Sequence, residues 1–396
     1  MARFLFLPHA PLGTLAHLTS CLAVAQQLDS RGHTTLVAYG GSRPELLDES
    51  GVAWRRVPEA RGPMSDEWFE TAEDLERILG AHAALIEEFD PSVCVTSAGA
   101  GRLSVAISGR PHLGIQHALG NTSFGRAGRR REAILSDLRH PARGWKDLRL
   151  ELRNRRRRPT VTGRIWHAAW RERTGVALDS TTKWTGTADL VACTTTPLLD
   201  PTRGLPDHWR YVGPLSYGRD PTATAVSVPG DRDRPRAYVS QGSTGAPELL
   251  EQAVRELAAA GFAVVVSGGG LCDPRELERL GAGVQAADLH DTRAELEAAD
   301  VGVIAGGHMT AMEALLAGTP TVVLARLVSQ ALSAKRAERL GTGIGLWPRV
   351  PRGSVARAAR RCTRKRYRER AKEVAADLRA WNGAQASALL AERLAS

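Results

Sequence analysis

The chain has 396 residues, of which 43% are hydrophobic and 24% are charged, and its formal net charge is +10. This length suits two or three domains of about 100–200 residues each, and two comparable domains are the first expectation. No segment has the ~20 consecutive apolar residues of a membrane span, and the short apolar run at the N-terminus lacks a signal-peptide cleavage pattern. We therefore expect a cytoplasmic protein. The five cysteines stand singly, without the paired spacing of a metal site.

The first half of the chain alternates strand and helix patterns. Strands are predicted at Phe4–Pro8, Thr34–Tyr39, Val93–Thr96 and Pro111–Gln116, and Leu18–Ser30 has helical spacing. Strands that alternate with helices are typical of parallel βαβ units. This half therefore reads as a doubly wound domain.

The second half repeats the alternation. It predicts strands and helices in the order Ala237–Gln241, Pro247–Gly261, Ala263–Ser267, Arg293–Ala299, Val301–Ala305, Thr310–Ala317 and Thr321–Ala325. Residues 216–235, rich in Pro, Gly, Thr and Asp, have the composition of a linker. The predicted layout is a domain over 1–215, a linker over 216–235, a domain over 236–375 and a closing C-terminal helix over 376–396. Ligands of such α/β domains bind at the carboxyl ends of the strands, so we expect a site between the two domains.

Residues 301–320 carry the most informative motif. A buried strand ends at Gly306-Gly307, and a helix begins near Met309-Thr310. The N-terminus of a helix favours phosphate, and Glu313 could accept hydrogen bonds from ribose hydroxyls. The alternative is an ordinary turn in which Thr310 caps the helix and Glu313 completes a capping box.

This motif resembles the donor-binding signature of nucleotide-sugar glycosyltransferases of the GT-B fold, His-Gly-Gly-x-x-Thr-x-x-Glu-Ala-Leu-x-x-Gly-x-Pro. The matching residues are Gly306, Gly307, Thr310, Glu313, Ala314, Leu315, Gly318 and Pro320. The resemblance implies an α/β fold of two Rossmann-like doubly wound domains facing across a cleft. The layout is similar both to family 1 enzymes that decorate small metabolites and to the peptidoglycan N-acetylglucosaminyltransferase.

The resemblance also implies roles for individual residues. Gln330 would hydrogen-bond the donor sugar, Leu289 and His290 would hold the nucleobase, and Ser243 and Thr244 would lie near the phosphates. The full donor-binding set is Ser243, Thr244, Leu289, His290, Gly306, Gly307, His308, Met309, Thr310, Glu313 and Gln330. No metal ligand is assigned.

His17 is the candidate general base, because families of this fold carry Gly-His-x-x-Pro after the first strand. A neutral imidazole can take a proton from an acceptor hydroxyl as its oxygen attacks the anomeric carbon. Gly13 and Thr14, just before it, are assigned to acceptor binding. The alternative is a helix N-terminal histidine with a packing role.

Four departures from the family pattern stand out. Ala305 replaces the His before Gly-Gly, and His308 or an arginine would have to substitute for it. Ser329 replaces an Asp, and Ser20 replaces a Pro. Ser97 and Ala98 stand where family 1 enzymes can place the Asp that orients the catalytic His.

Two basic segments remain. The arginine-rich insert at about 126–173 also carries Trp145, Trp166 and Trp170, and it could contact an anionic membrane or a phosphorylated acceptor, or form a solvated helix pair. The tail Arg357–Lys372 is interpreted as an exposed helix face. We expect no nucleic-acid partner, since no nucleic-acid fold surrounds these arginines.

The implied activity is inverting, metal-independent transfer from a UDP- or TDP-sugar to a hydroxyl of a small-molecule, natural-product or lipid-linked acceptor. The nucleoside diphosphate sugar is a co-substrate, and no further cofactor is expected. Two alternatives stay open. One is a nucleotide-sugar hydrolase or epimerase on the same fold, and the other is a degenerate glycosyltransferase that only binds a partner.

Overall fold

The computed structural model describes residues 1–8, 15–41, 43–58, 71–117, 161–178, 187–202, 205–217, 223–228, 233–242, 245–347 and 349–396. The chain divides into two compact units, one formed by residues 1–215 with 383–396 and the other by residues 216–382.

The first unit has a parallel sheet covered by helices. Its strands are β1 (Arg3–Leu7), β2 (Thr34–Tyr39), β3 (Trp54–Arg56), β4 (Val93–Thr96), β5 (His112–Gln116), β6 (Leu190–Cys193) and β7 (Trp209–Tyr211). Its helices are α1 (Ala16–Ser30), α2 (Glu45–Ser50), α3 (Ala72–Phe89), α4 (Ala100–Ser108), α5 (Val161–Thr174) and, from the end of the chain, α13 (Gly383–Ala395). The strand order is β3-β2-β1-β4-β5-β6-β7, and all the pairs are parallel.

The second unit repeats this arrangement. Its strands are β8 (Arg236–Ser240), β9 (Ala263–Ser267), β10 (Val284–Ala287), β11 (Val301–Ile304), β12 (Thr321–Leu324) and β13 (Gly343–Leu346). Its helices are α6 (Pro247–Ala259), α7 (Pro274–Glu278), α8 (Thr292–Ala298), α9 (His308–Ala317), α10 (Val328–Leu340), α11 (Ser354–Cys362) and α12 (Lys365–Arg379). The order β10-β9-β8-β11-β12-β13, all parallel, is that of a dinucleotide-binding fold. The prediction of two doubly wound α/β domains is confirmed.

The central strands read as continuous apolar runs because helices cover both faces of each sheet. Phe4, Leu5 and Phe6 of β1 are fully buried, as are Val264, Val265 and Val266 of β9.

The end of the chain differs from the single closing helix that was expected over 376–396. Helix α12 crosses residue 376, and α13 belongs to the first unit. Gly383, the first residue of α13, packs closely against the backbone of Pro214 in the first unit. A Cβ added at Gly383 would lie 2.3 Å from the Pro214 carbonyl oxygen. Tight backbone contact therefore brings this last helix back to the first unit.

The part of the arginine-rich insert that the structure describes is α5, and its tryptophans are not on the surface. Trp166 and Trp170 are 7% and 0% exposed and pack with Leu79 of α3 and Leu103 of α4. These two rings therefore belong to the core and offer no apolar surface to a membrane. Trp145 and the arginines of residues 126–160 lie outside the described residues. Within the described ranges, no helix combines the length and apolar character that crossing a bilayer requires.

Candidate active site

In the sheet of the second unit, the direction in which successive strands are added reverses between two neighbouring strands. Strands β8 and β11 are paired, and the sheet grows to opposite sides from this point. Such a switch point opens a crevice at the carboxyl ends of the strands, where α/β proteins bind ligands. The segments that leave the two strands here are Gln241-Gly242 and Ala305-Gly306-Gly307.

A glycine is present at each of the two adjacent positions of the motif for a different physical reason. Gly306 has φ +90°, and an added Cβ would lie 2.6 Å from Cγ1 of Val323 on β12, so packing alone requires a glycine there. Gly307 has φ −56°, and an added Cβ would meet no described atom within 4 Å. The open space beside Gly307 leaves room for a ligand to approach the backbone.

Helix α9 begins directly after Gly307. Gly307 is its N-cap, and no described side chain caps it. The first helical bond runs from the Ala311 N–H to the Gly307 carbonyl, so the N–H of Thr310 has no acceptor within the helix. Since Thr310 lies inside the first turn, the alternative in which Thr310 caps the helix is wrong. This helix end, with partly buried His308 and Met309 beside Thr310, has the positive potential that favours an anion.

Glu313, one turn further on, is held by two partners. Its Oε1 accepts a hydrogen bond from the Ser216 hydroxyl at 2.9 Å. Its Oε2 accepts from Nε of Arg293 at 2.6 Å and is 2.5 Å from Nη2 of the same guanidinium. The Arg293 and Glu313 side chains are 9% and 12% exposed, so the carboxylate has a defined orientation. Because its two oxygens have about four lone-pair sites, it can still accept from a ribose hydroxyl.

Gln330 lies at the start of α10 and is 3% exposed. Its Oε1 accepts from the backbone N–H groups of Arg326 at 2.8 Å and Leu327 at 3.0 Å. Both lone pairs of the amide oxygen are therefore used. Gln330 can contact a sugar hydroxyl only as a donor, through its NH₂ group. Ser329, which replaces the family Asp, is exposed beside it.

The loop after β10 carries the residues assigned to the nucleobase. Leu289 is 52% exposed, an unusual position for a large apolar side chain. The His290 N–H donates to the Ser267 hydroxyl at 3.1 Å. Its Nε2 is buried without a hydrogen-bond partner among the described residues. Desolvation lowers the pKa of His290, so its ring is neutral at neutral pH.

His17 lies in the first turn of α1 and has an aromatic neighbour. Its ring stacks on that of His117, which follows β5, with the centroids 4.6 Å apart and the planes inclined by 26°. His117 Nε2 is 2.9 Å from the Ser20 hydroxyl, which donates its own hydrogen to the Ala16 carbonyl at 2.8 Å. This assigns the donor hydrogen of the first contact to Nε2 of His117. Desolvation, aided by the charge of Arg102, lowers the pKa of His117 to about 4.

The buried cation Arg102 acts on His117 through its charge, and serine and alanine occupy the positions where family 1 enzymes can have the Asp. Ser97 and Ala98 are buried, and the Ser97 carbonyl accepts a hydrogen bond from Arg102. Arg102 also reaches the Ile115 carbonyl at 3.5 Å. Burial lowers the pKa of Arg102 to about 9, which leaves it charged at neutral pH.

Sequence reasoning did not identify several of these residues as candidates. His117, Arg102 and Arg293 were not singled out, and Ser20 was noted only as a replaced proline. The available signal for His117 is its position directly after a buried strand. Ser243, Thr244, Gly13 and Thr14, assigned to the phosphates and the acceptor, lie outside the described residues.

Comparison with known proteins supplies the family context. No family model matches the chain. The chain is similar to the PGL/p-HBAD biosynthesis rhamnosyltransferase of Mycobacterium bovis, with 28% identity over 362 residues covering 86% of this chain and 76% of the relative.

Two solved structures cover nearly the whole chain. The glycotransferase of kitacinnamycin matches with a TM-score of 0.75 and 22% identity, covering 99% of each chain. The Streptomyces sp. SF2575 glycosyltransferase SsfS6, complexed with thymidine diphosphate, matches with a TM-score of 0.64 and 20% identity, covering 99% of this chain and all of that one. The chain thus has the GT-B fold, and these proteins similar to it in sequence and in structure are glycosyltransferases.

Proposed function

We propose that the chain transfers a sugar from a nucleoside diphosphate sugar to a hydroxyl of a natural-product or glycolipid acceptor, with inversion and without a metal ion. The observation that carries this proposal is the start of α9 at the switch point of the second sheet, where no described side chain caps the helix and no described atom fills the space beside Gly307. The relative is named for rhamnosyl transfer, and SsfS6 was solved with thymidine diphosphate, which favours the TDP-sugar of the two expected donors, a UDP- or a TDP-sugar.

The donor contacts divide by chemical group. The N–H groups at the start of α9 receive the diphosphate, whose negative charge grows as the bond to the sugar breaks. Glu313 accepts from the ribose, and the Gln330 NH₂ group donates to the sugar. Leu289 and His290 contact the nucleobase. The helix end supplies the positive potential that a metal ion would otherwise provide.

His17 acts as the general base. It removes the proton of the acceptor hydroxyl while the oxygen attacks the anomeric carbon, and one displacement inverts the configuration. The stacked ring of His117 holds the plane of the His17 imidazole, in the place of the orienting Asp that family 1 enzymes can have. His117 is neutral at neutral pH and, because Nε2 donates to Ser20, it is fixed in one tautomer.

The first experiment is a melting-temperature screen against UDP, TDP, GDP and their sugars, followed by turnover assays with hydroxyl acceptors. Binding stabilises the native state by RT ln(1 + [L]/Kd), about 2.7 kcal/mol at a hundredfold excess over Kd. We expect one nucleotide series to raise the melting temperature. NMR of the product should show an inverted anomeric centre, and chelators should leave the rate unchanged.

His17→Ala should abolish transfer and keep the nucleotide-induced shift. The exposed His208 provides the control, since His208→Ala should change neither. Donor consumption without any acceptor would favour a hydrolase or epimerase instead. A shift without turnover under any condition would favour the degenerate binding protein, and no shift with any nucleotide would refute the donor site.

A further inference from the structure

The residue directly after β8 carries an unusual side chain. Gln241 is 1% exposed, and its Nε2 has no hydrogen-bond partner in the part of the chain that the structure describes. Buried amide N–H groups nearly always have an acceptor, because an unsatisfied one lowers the stability of the native state. This donor therefore points to an acceptor that arrives with a ligand.

Gln241 lies at the same edge of the sheet as the proposed donor site. Ser240 is in register with Ile304, and the Ala305 N–H donates to the Ser240 carbonyl at 3.2 Å. Gln241 and Ala305 are thus the next residues along the two paired strands. Gly242 follows with φ +58°, so the chain turns away directly after Gln241.

Ala305 is the residue that replaces the family His before Gly-Gly. The side chain of Ala305 is a methyl group, which cannot donate a hydrogen bond. The residue is 5% exposed and lies beside the start of α9. A polar donor is therefore missing from one strand end and is present, without a partner, on the strand next to it.

We propose that the Nε2 amide of Gln241 donates a hydrogen bond to the donor diphosphate, in the place of the absent imidazole at position 305. The inference rests on the proposed donor site in the second unit. An amide is neutral at every physiological pH, so this contact does not titrate, in contrast to one made by a histidine.

The test is Gln241→Leu, which removes the amide with little change of volume. Because the variant removes an unsatisfied buried donor, its melting temperature without ligand should equal or exceed that of the wild type. Its affinity for TDP or UDP, measured by calorimetry, should fall about 10- to 100-fold, the range for loss of one hydrogen bond to a charged group. Binding of thymidine or uridine, which lack phosphates, should not change.

Gln252→Leu is the matched control from the same unit. The Gln252 amide is satisfied, with Nε2 donating to Glu256 at 2.8 Å and to the Val350 carbonyl at 3.3 Å. This variant should lose stability and keep its affinity for TDP and UDP.

Unchanged TDP and UDP affinity in Gln241→Leu would overturn the inference while the donor site stands. A lowered melting temperature with unchanged affinity would do the same, since it would make the amide structural. If the wild type bound neither nucleotide, the proposed function would fail together with the inference.

Discussion

Neighbouring residues of one motif can serve different purposes, as Gly306 and Gly307 illustrate. Both match the family signature, but only Gly306 has a backbone conformation and a packing contact that exclude a side chain. Gly307 adopts angles open to any residue, and the space beside it is empty of described atoms. A match to a family motif therefore does not separate a folding requirement from a binding requirement, whereas the local geometry does.

The two glycines predict opposite outcomes for the same substitution. Gly307→Ala should leave the free energy of unfolding unchanged and weaken donor nucleotide binding about tenfold or more, because the methyl group occupies the approach to the backbone. Gly306→Ala should lower the free energy of unfolding by about 2–4 kcal/mol, from strain and the clash with Val323. Urea unfolding and calorimetric titration measure the two effects.

Gly80, on α3 of the first unit, is the control for alanine itself. An added Cβ there meets no described atom within 4 Å. Gly80→Ala should stabilise the helix by about 0.5–1 kcal/mol and leave nucleotide binding unchanged. Normal nucleotide affinity in Gly307→Ala would contradict the assignment of this space to the donor.

Among the helices, α8 and α9 are joined by the pair Arg293–Glu313, which has a structural role besides its proposed contact with ribose. The pair is nearly buried, and Arg293 has a second acidic neighbour in Glu297, at 3.8 Å. Removing Glu313 is costly because the nearly buried Arg293 then keeps only the more distant Glu297 as a counterion. Loss of binding in Glu313→Ala would therefore mix an unfolding effect with a binding effect.

A double substitution separates these two effects. Glu313→Ala should lower the free energy of unfolding by about 3 kcal/mol. Arg293→Leu combined with Glu313→Leu should recover most of that loss, because no buried charge remains, but it should not recover nucleotide affinity. Recovery of affinity in the double variant would show that the Glu313 carboxylate does not contact the donor.

The helices of the basic tail each have a buried apolar face and an exposed basic face, as is typical of surface helices. Helix α11 buries Val355, Ala359 and Cys362 and exposes Arg357 and Arg361. On α12, exposed basic side chains form surface ion pairs such as Arg370–Glu373, at 2.8 Å. The interpretation of Arg357–Lys372 as an exposed helix face is confirmed.

At the scale of the whole molecule, three histidines among the described residues of the first unit have strongly lowered pKa values. Burial lowers the pKa of His82 to about 4 and that of His112 to about 3, and desolvation lowers the pKa of His117 to about 4. In the unfolded chain these imidazoles titrate near pH 6.5. The unfolded state therefore binds more protons than the native state between these values, and the stability that is present above about pH 6.5 decreases as the pH falls.

We expect acid to destabilise the first unit specifically. Each of these imidazoles should contribute a loss of about 1–2 kcal/mol between pH 7.5 and pH 5. His82→Gln, which keeps a polar group near the Ser104 hydroxyl, should make the loss smaller by one such contribution. Urea unfolding at both pH values measures it, and an equal loss in wild type and variant would contradict the prediction.

The local pattern of the chain was sufficient for the fold class, and it singled out the segment that we propose binds the donor. Strand and helix periodicities, the linker composition and the contiguous segment 301–320 depend on neighbouring residues, so they can be read without a structure. The same holds for His17, whose position after the first strand is a local feature. Because these features are local, they do not show which distant residues a given side chain contacts.

Those partners were decided by the order of the strands and by side-chain packing. His117 meets His17 because β5 joins the same sheet as β1, a hundred residues earlier in the chain. Gln241 lies beside Ala305 because β8 pairs with β11. Trp166 and Trp170 are buried because α5 packs on α3 and α4, although their arginine-rich surroundings suggested a surface. Contacts between residues far apart in the chain form only when the sheets assemble, so composition and spacing could not reveal them.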